Sequence, residues 1–168
     1  MPESFNKIID TDLNGDHVVI NTISDVHPGI VCVYDSPRDL FLRLTDFNPE
    51  ERNYSVSKTQ ITEIKNRNGY PIECYINKPP RGIQAKGLLV LTNLVFWERF
   101  KWRYDPLVQY FASRGYIILR PNYRGTSGYG MAHLFSGVGN LGQSAIDDII
   151  DCVVKYSEIE GIDSLSSY

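Results

Sequence analysis

Two continuous apolar runs, GLLVL at residues 87–91 and YIIL at 116–119, flank one amphipathic stretch, and this order constrains the fold more than any other feature of the chain. A run with no polar interruption suits a strand covered on both faces, as in sheets that carry packed helices. Between the runs, residues 105–114 (DPLVQYFASR) carry an Asp N-cap candidate, Pro at the first helical position, apolar Leu107, Val108, Tyr110 and Phe111, and Gly115 as a stop. Residues 88–91 and 116–119 are therefore expected as neighbouring strands of one sheet, bridged by that helix. The second run then enters a Gly-rich turn, RPNYRGTSGYG at 120–130, followed by a helical stretch at 144–156. There Ile146, Ile149, Ile150, Val153, Val154 and Tyr156 share one helical face, opposite Asp147, Asp148, Asp151 and Lys155. The expected class is α/β.

The first third of the chain has a different grammar. Residues 17–23 (HVVINTI), 30–34 (IVCVY) and 39–44 (DLFLRL) read as short strands, with DVHPG and DSPR as turns between them. Three such strands bury too little apolar surface to stand alone, so they belong to a larger β-structure and lie outside the later sheet. From Thr59 onward QITEIK, the turn NRNG and YPIECYIN form an expected hairpin, in which Asn68 and Gly69 tolerate positive φ. The expected division is residues 1–57 and 58–168.

The net charge of -3 gives no electrostatic reason to bind nucleic acid or an anionic membrane surface. FWERFKWRY at 96–104 interleaves aromatic and charged residues, but one cluster in a mildly acidic chain is read as packing. No apolar segment reaches the roughly 20 residues of a spanning helix, and a cytoplasmic location is the default expectation. Cys32, Cys74 and Cys152 show no C-x-x-C spacing and are expected as buried, reduced thiols. Asp147, Asp148 and Asp151 lack the His partners or loop pattern of a metal site and are read as the soluble face of their helix; no metal or cofactor is expected.

The order PNYRGTSGYG, an Asp-rich helix, then a G-x-D segment at 161–163 resembles the prolyl oligopeptidase family of serine peptidases, particularly its acylaminoacyl-peptidase and dipeptidyl-peptidase branches. The string SDVHPGIVCVYDSPRDLFLRLTDFNPE is similar to the last β-propeller blade that precedes the hydrolase domain in this family, with Leu44, Thr45, Asn48 and Pro49 matching its L-T-x-x-N-P ending. The two resemblances run in family order. They imply a partial α/β-hydrolase sheet preceded by a few β-propeller-like strands, with 1–57 a terminal blade remnant and 58–168 the first part of the peptidase domain.

The resemblance implies hydrolysis of peptide or acyl-peptide substrates through a serine acyl-enzyme. Such chemistry needs a nucleophile on a G-x-S-x-G elbow, then Asp, then His. No such elbow occurs in these 168 residues, so no catalytic residue is assigned. Ser127 is read as a turn residue, and His17, His27 and His133 as structural. The family's oxyanion loop falls at Thr92 and Asn93, where its glycines are absent; the structural loop beside the cleft falls at Asn122, Tyr123, Arg124 and Gly125, with Arg124 expected to fix that loop. The expectation is a chain that ends before the elbow and is inactive alone. The alternatives are a noncatalytic binding or assembly module and the remnant of an interrupted gene. Unfinished sheet edges imply self-association or a partner chain that completes the sheet.

Overall fold

The computed structural model describes residues 4–46, 55–93, 95, 97–138 and 142–161. The chain separates into two compact units, residues 1–56 with 102–106, and residues 57–101 with 107–168.

The first unit is an antiparallel meander of β1 (Phe5–Thr11), β2 (His17–Ile23), β3 (Ile30–Asp35) and β4 (Leu40–Asp46), in spatial order 1-2-3-4. Three strands were expected, and four are present among the described residues. β1 escaped the alternation pattern because its register with β2 shifts between Ile8 and Asp10, so Ile8 and Ile9 stand side by side where period two would place a polar residue. Asn48 and Pro49 of the L-T-x-x-N-P match lie outside the described residues, as do most residues of the G-x-D segment.

The second unit holds a four-stranded sheet in the order β5-β6-β8-β7. Its strands are β5 (Thr59–Lys65), β6 (Pro71–Asn77), β7 (Gly87–Val90) and β8 (Tyr116–Asn122). β5 and β6 form the expected hairpin, with Asn66 and Tyr70 closing a three-residue loop; only Gly69 has positive φ, at 77°, and Asn68 does not. Asn66 accounts for the shape of the turn, since its Oδ1 accepts from the backbone N–H groups of Asn68 and Tyr70, each at 2.9 Å. β8 pairs antiparallel with β6 and parallel with β7, so the two apolar runs are neighbours as expected, and α1 (Pro106–Ala112) lies between them in sequence. The short α2 (Met131–Ser136) and the long α3 (Gln143–Glu160) follow β8.

α3 corrects one expectation. Its buried residues are Ser144, Ala145, Asp148, Asp151, Cys152, Tyr156 and Ser157, whereas Ile146, Ile150 and Val154 are exposed. Of the expected apolar face, only Val153 and Tyr156 reach the core formed by Ile64, Ile72, Cys74, Ile76, Leu88, Ile117, Leu119 and Cys152. Small residues and paired carboxylates let the helix approach the sheet on its polar stripe, because the charges there are neutralised by arginines from elsewhere in the unit.

Candidate functional site

β7 and β8 run parallel, and the segments after both strands, of which residues 91–93, 95 and 97–101 and residues 122–130 are described, emerge at the same end of the sheet. In open α/β sheets this carboxyl end is where ligand crevices form. Asn122, the last residue of β8, ties the two segments together. Its side chain is fully buried; Oδ1 accepts from the Phe100 N–H at 2.7 Å, while Nδ2 donates to the Phe100 carbonyl at 3.3 Å and to the Tyr129 hydroxyl at 2.7 Å. An amide side chain is one of few that can both accept from and donate to a single backbone residue. The Tyr129 hydroxyl in turn donates to Glu73 on β6, and burial together with that carboxylate pushes the phenol above its ordinary range. Ser127 N–H donates to the Trp97 carbonyl at 2.9 Å, giving a second tie between the segments. Part of the aromatic loop is packed, as expected: the Arg120 guanidinium lies 5.5 Å from the Phe100 ring centre and donates to Asn77 Oδ1 at 2.8 Å.

Arg124 fixes the other side of the turn. Its Nε and Nη2 each donate to the Asp148 carboxylate at 2.9 Å, and its backbone N–H donates to the same carboxylate at 3.0 Å. Asn66 Nδ2 adds a fourth bond to Asp148 at 2.8 Å, which joins the hairpin turn to the same group. Asp148 is fully buried, and its hydrogen bonds raise Arg124 above the ordinary guanidinium range. One turn along α3, Asp151 receives Arg67 Nε and Nη2 at 2.9 and 2.7 Å, and this pairing lowers the Asp151 carboxyl. The reading of these aspartates as a solubility face is thereby overturned: both hold loops against α3.

His133 completes the packing beneath the turn. Its Nε2 lies 3.0 Å from the Tyr123 carbonyl, an acceptor only, so Nε2 carries the hydrogen and Nδ1 accepts from the Tyr70 hydroxyl at 2.9 Å. Burial lowers its pKa and keeps the ring neutral. With both nitrogens engaged within the fold, His133 is a structural residue, and it does not serve Ser127 as a base. α2 also approaches closely: a Cβ at Gly137 would lie 2.6 Å from the Gly125 Cα, so glycine is the residue that fits this crossing.

At the expected oxyanion position Thr92 is exposed, and Asn93 Nδ2 donates to the Glu98 carbonyl at 2.8 Å, which fastens the loop to itself. Leu91 N–H still reaches the Leu119 carbonyl at 3.0 Å, so strand pairing persists up to this loop. Leu94 lies outside the described residues. Among the described residues no three His, Cys, Asp or Glu side chains gather as metal ligands, and no helix is long and apolar enough to cross a membrane. Glu73, Tyr129, Asp148 and Asp151 were not singled out as site residues from the sequence. A usable signal was the stripe Ser144, Asp148, Cys152, Tyr156 at four-residue spacing, whose small and polar members mark a close helix–sheet contact.

Residues 102–165 match the family model described as the prolyl oligopeptidase family. That stretch is similar to the prolyl oligopeptidase family. The chain is 26% identical over 129 residues to dipeptidyl aminopeptidase BIII of Pseudoxanthomonas mexicana, covering 71% of this chain and 19% of that protein. It is 23% identical over 159 residues to dipeptidyl peptidase family member 6 of Caenorhabditis elegans, covering 76% of this chain and 21% of that one. It thus spans about a fifth of the length of these relatives. The fold is similar to that of the acylaminoacyl peptidase of Pyrococcus horikoshii, with a TM-score of 0.74 at 18% identity over 97% of this chain and 26% of that one. It is also similar to Porphyromonas gingivalis dipeptidyl peptidase 4, with a TM-score of 0.73 at 21% identity over 98% of this chain and 24% of that one. By this likeness of fold, the second sheet is a partial α/β-hydrolase sheet and the first four strands are of the propeller type.

Proposed function

We propose that this chain provides the opening part of a serine peptidase domain acting on peptides or acyl-peptides, and that the 168-residue polypeptide is not hydrolytic alone. The observation that carries the reading is the pair of segments at the carboxyl ends of parallel β7 and β8, described at residues 91–93, 95, 97–101 and 122–130 and locked to each other through Asn122. Relatives named as dipeptidyl peptidases support the substrate class. The reaction needs a nucleophile, an oriented base and oxyanion donors together. Within the sequence there is no G-x-S-x-G, His133 is engaged by Tyr70 and Tyr123, and Asn93 is bonded to Glu98.

The purified polypeptide is expected to leave aminoacyl and dipeptidyl p-nitroanilides uncleaved and to form no adduct with a fluorophosphonate probe. Turnover, or labelling at Ser127, would overturn the proposal. Coding DNA beyond Tyr168 that supplies a G-x-S-x-G elbow with later Asp and His would place this segment in a complete peptidase; a lack of them there would favour a binding or assembly module.

The same reading extends to assembly. Among the described residues β7 is an edge strand, and Ile146, Ile150 and Val154 expose an apolar stripe on α3. Open edges and apolar stripes of this kind take up further chain. Sedimentation at low micromolar concentration is expected to show self-association, and a concentration-independent monomer would argue against it.

A further inference from the structure

Two of the three cysteines meet inside the second unit. Cys74 on β6 and Cys152 on α3 are both fully buried, 78 positions apart in sequence, with their Sγ atoms 3.6 Å from each other. They sit in the core with Ile72, Ile76, Leu119 and Tyr156, and the Cys74 thiol also points to the Ile72 carbonyl at 3.6 Å. A disulfide requires sulfurs about 2.05 Å apart, so the gap to close is about 1.5 Å, on the scale of a side-chain adjustment rather than a helix displacement. The bond would be apolar in an apolar surrounding and would displace no charged or hydrogen-bonding group other than the thiols. From this geometry we infer that Cys74 and Cys152 form a dithiol that closes reversibly into a cross-link between β6 and α3.

The oxidant is a low-molecular-weight disulfide. One cysteine thiolate attacks a sulfur of oxidised glutathione, forming a mixed disulfide and releasing one glutathione thiolate. The second cysteine, as its thiolate, attacks the protein sulfur of that mixed disulfide and releases the other glutathione. The protein dithiol gives up two protons and two electrons, and one glutathione disulfide becomes two thiols. The neighbouring Cys152 sulfur and burial both raise the Cys74 thiol above its ordinary range. Exchange therefore proceeds through openings that lift α3 from the sheet, and its rate rises in sub-denaturing urea. Once closed, the bond ties to β6 the helix that carries Asp148 and Asp151, and thereby steadies the turn held by Arg124.

The test equilibrates the full 168-residue chain in glutathione redox buffer and follows intact mass, peptide mapping and thermal unfolding. The expected product is two hydrogens lighter, yields a linked Cys74–Cys152 peptide pair, and melts about 5–10 °C above the reduced chain, as closure of a long loop predicts. Dithiothreitol reverses all three changes. Cys32, in the other sheet beside an apolar cavity of about 480 Å³ lined also by Ile20 and Phe41, serves as the internal control, and C32A is expected to keep the full response. C152A is expected to lose it. Persistent glutathione adducts at Cys74 or Cys152, a linkage involving Cys32, a linked form that melts below the reduced one, or a response retained in C152A would each overturn the inference.

Discussion

Asp148→Ala is expected to destabilise the chain by about 3–5 kcal/mol, the range for removing one member of a buried charged pair. The carboxylate is fully buried and accepts two bonds from the Arg124 guanidinium, one from the Arg124 backbone and one from Asn66. Alanine would leave the guanidinium, only 18% exposed in its side chain, without its counter-charge, and would strand a backbone donor and an amide donor beside it. Asp148→Asn is expected to recover little, because its Nδ2 is a donor and would face the Arg124 and Asn66 donors where only an acceptor fits. Asp151→Ala provides the contrast. Its partner Arg67 is 54% exposed in its side chain, so the freed guanidinium is solvated and the loss is expected to be much smaller. Urea unfolding of the three variants measures the ranking, and an Asp148→Ala loss below about 1 kcal/mol would mean that water takes the place of the carboxylate.

How much of this was legible in the sequence depended on whether the deciding interactions were local. β5 to β8 and α3 were readable because apolar runs, alternation and helix boundary residues lie within each segment. β1 was not, since the register shift after Ile8 erases the very alternation that marks a strand. The inward face of α3 was misread for a different reason. Hydrophobic periodicity assigns Asp148 and Asp151 to solvent, yet the arginines that neutralise them come from positions 24 and 84 residues away, beyond any window that scores a helix on its own. At the candidate site, Arg124 and its loop could be located because the motif is contiguous. The Asn122–Tyr129–Glu73 chain could not, since Glu73 arrives from β6 through tertiary pairing. The loop at Thr92 and Asn93 was located by resemblance, but the bond from Asn93 to Glu98 belongs to the folded loop.

The second large effect is expected at Leu119, where substitution by alanine should cost about 2–5 kcal/mol, the range for truncating a fully buried leucine. Leu119 is completely buried on β8, between Ile76 of β6 and Val90 of β7 in register, and belongs to the core that also contains Ile72, Leu88 and Cys152. A cavity there opens beneath the strand that delivers Asn122 and Arg124, so the candidate site loosens along with the core. Ile150→Ala is the matching control, as Ile150 belongs to the helix face that periodicity alone would turn inward, yet it is 47% exposed. Its expected cost in dilute solution is within about 0.5 kcal/mol, as for a surface position. Measuring both variants across protein concentration separates two explanations of that exposed stripe. If Ile150→Ala remains near neutral at every concentration while Leu119→Ala does not, the stripe is free surface and self-association, if present, runs through the β7 edge. If the Ile150→Ala penalty grows with concentration, the stripe itself is the contact between chains, because only burial in an assembly makes the truncated methylenes count.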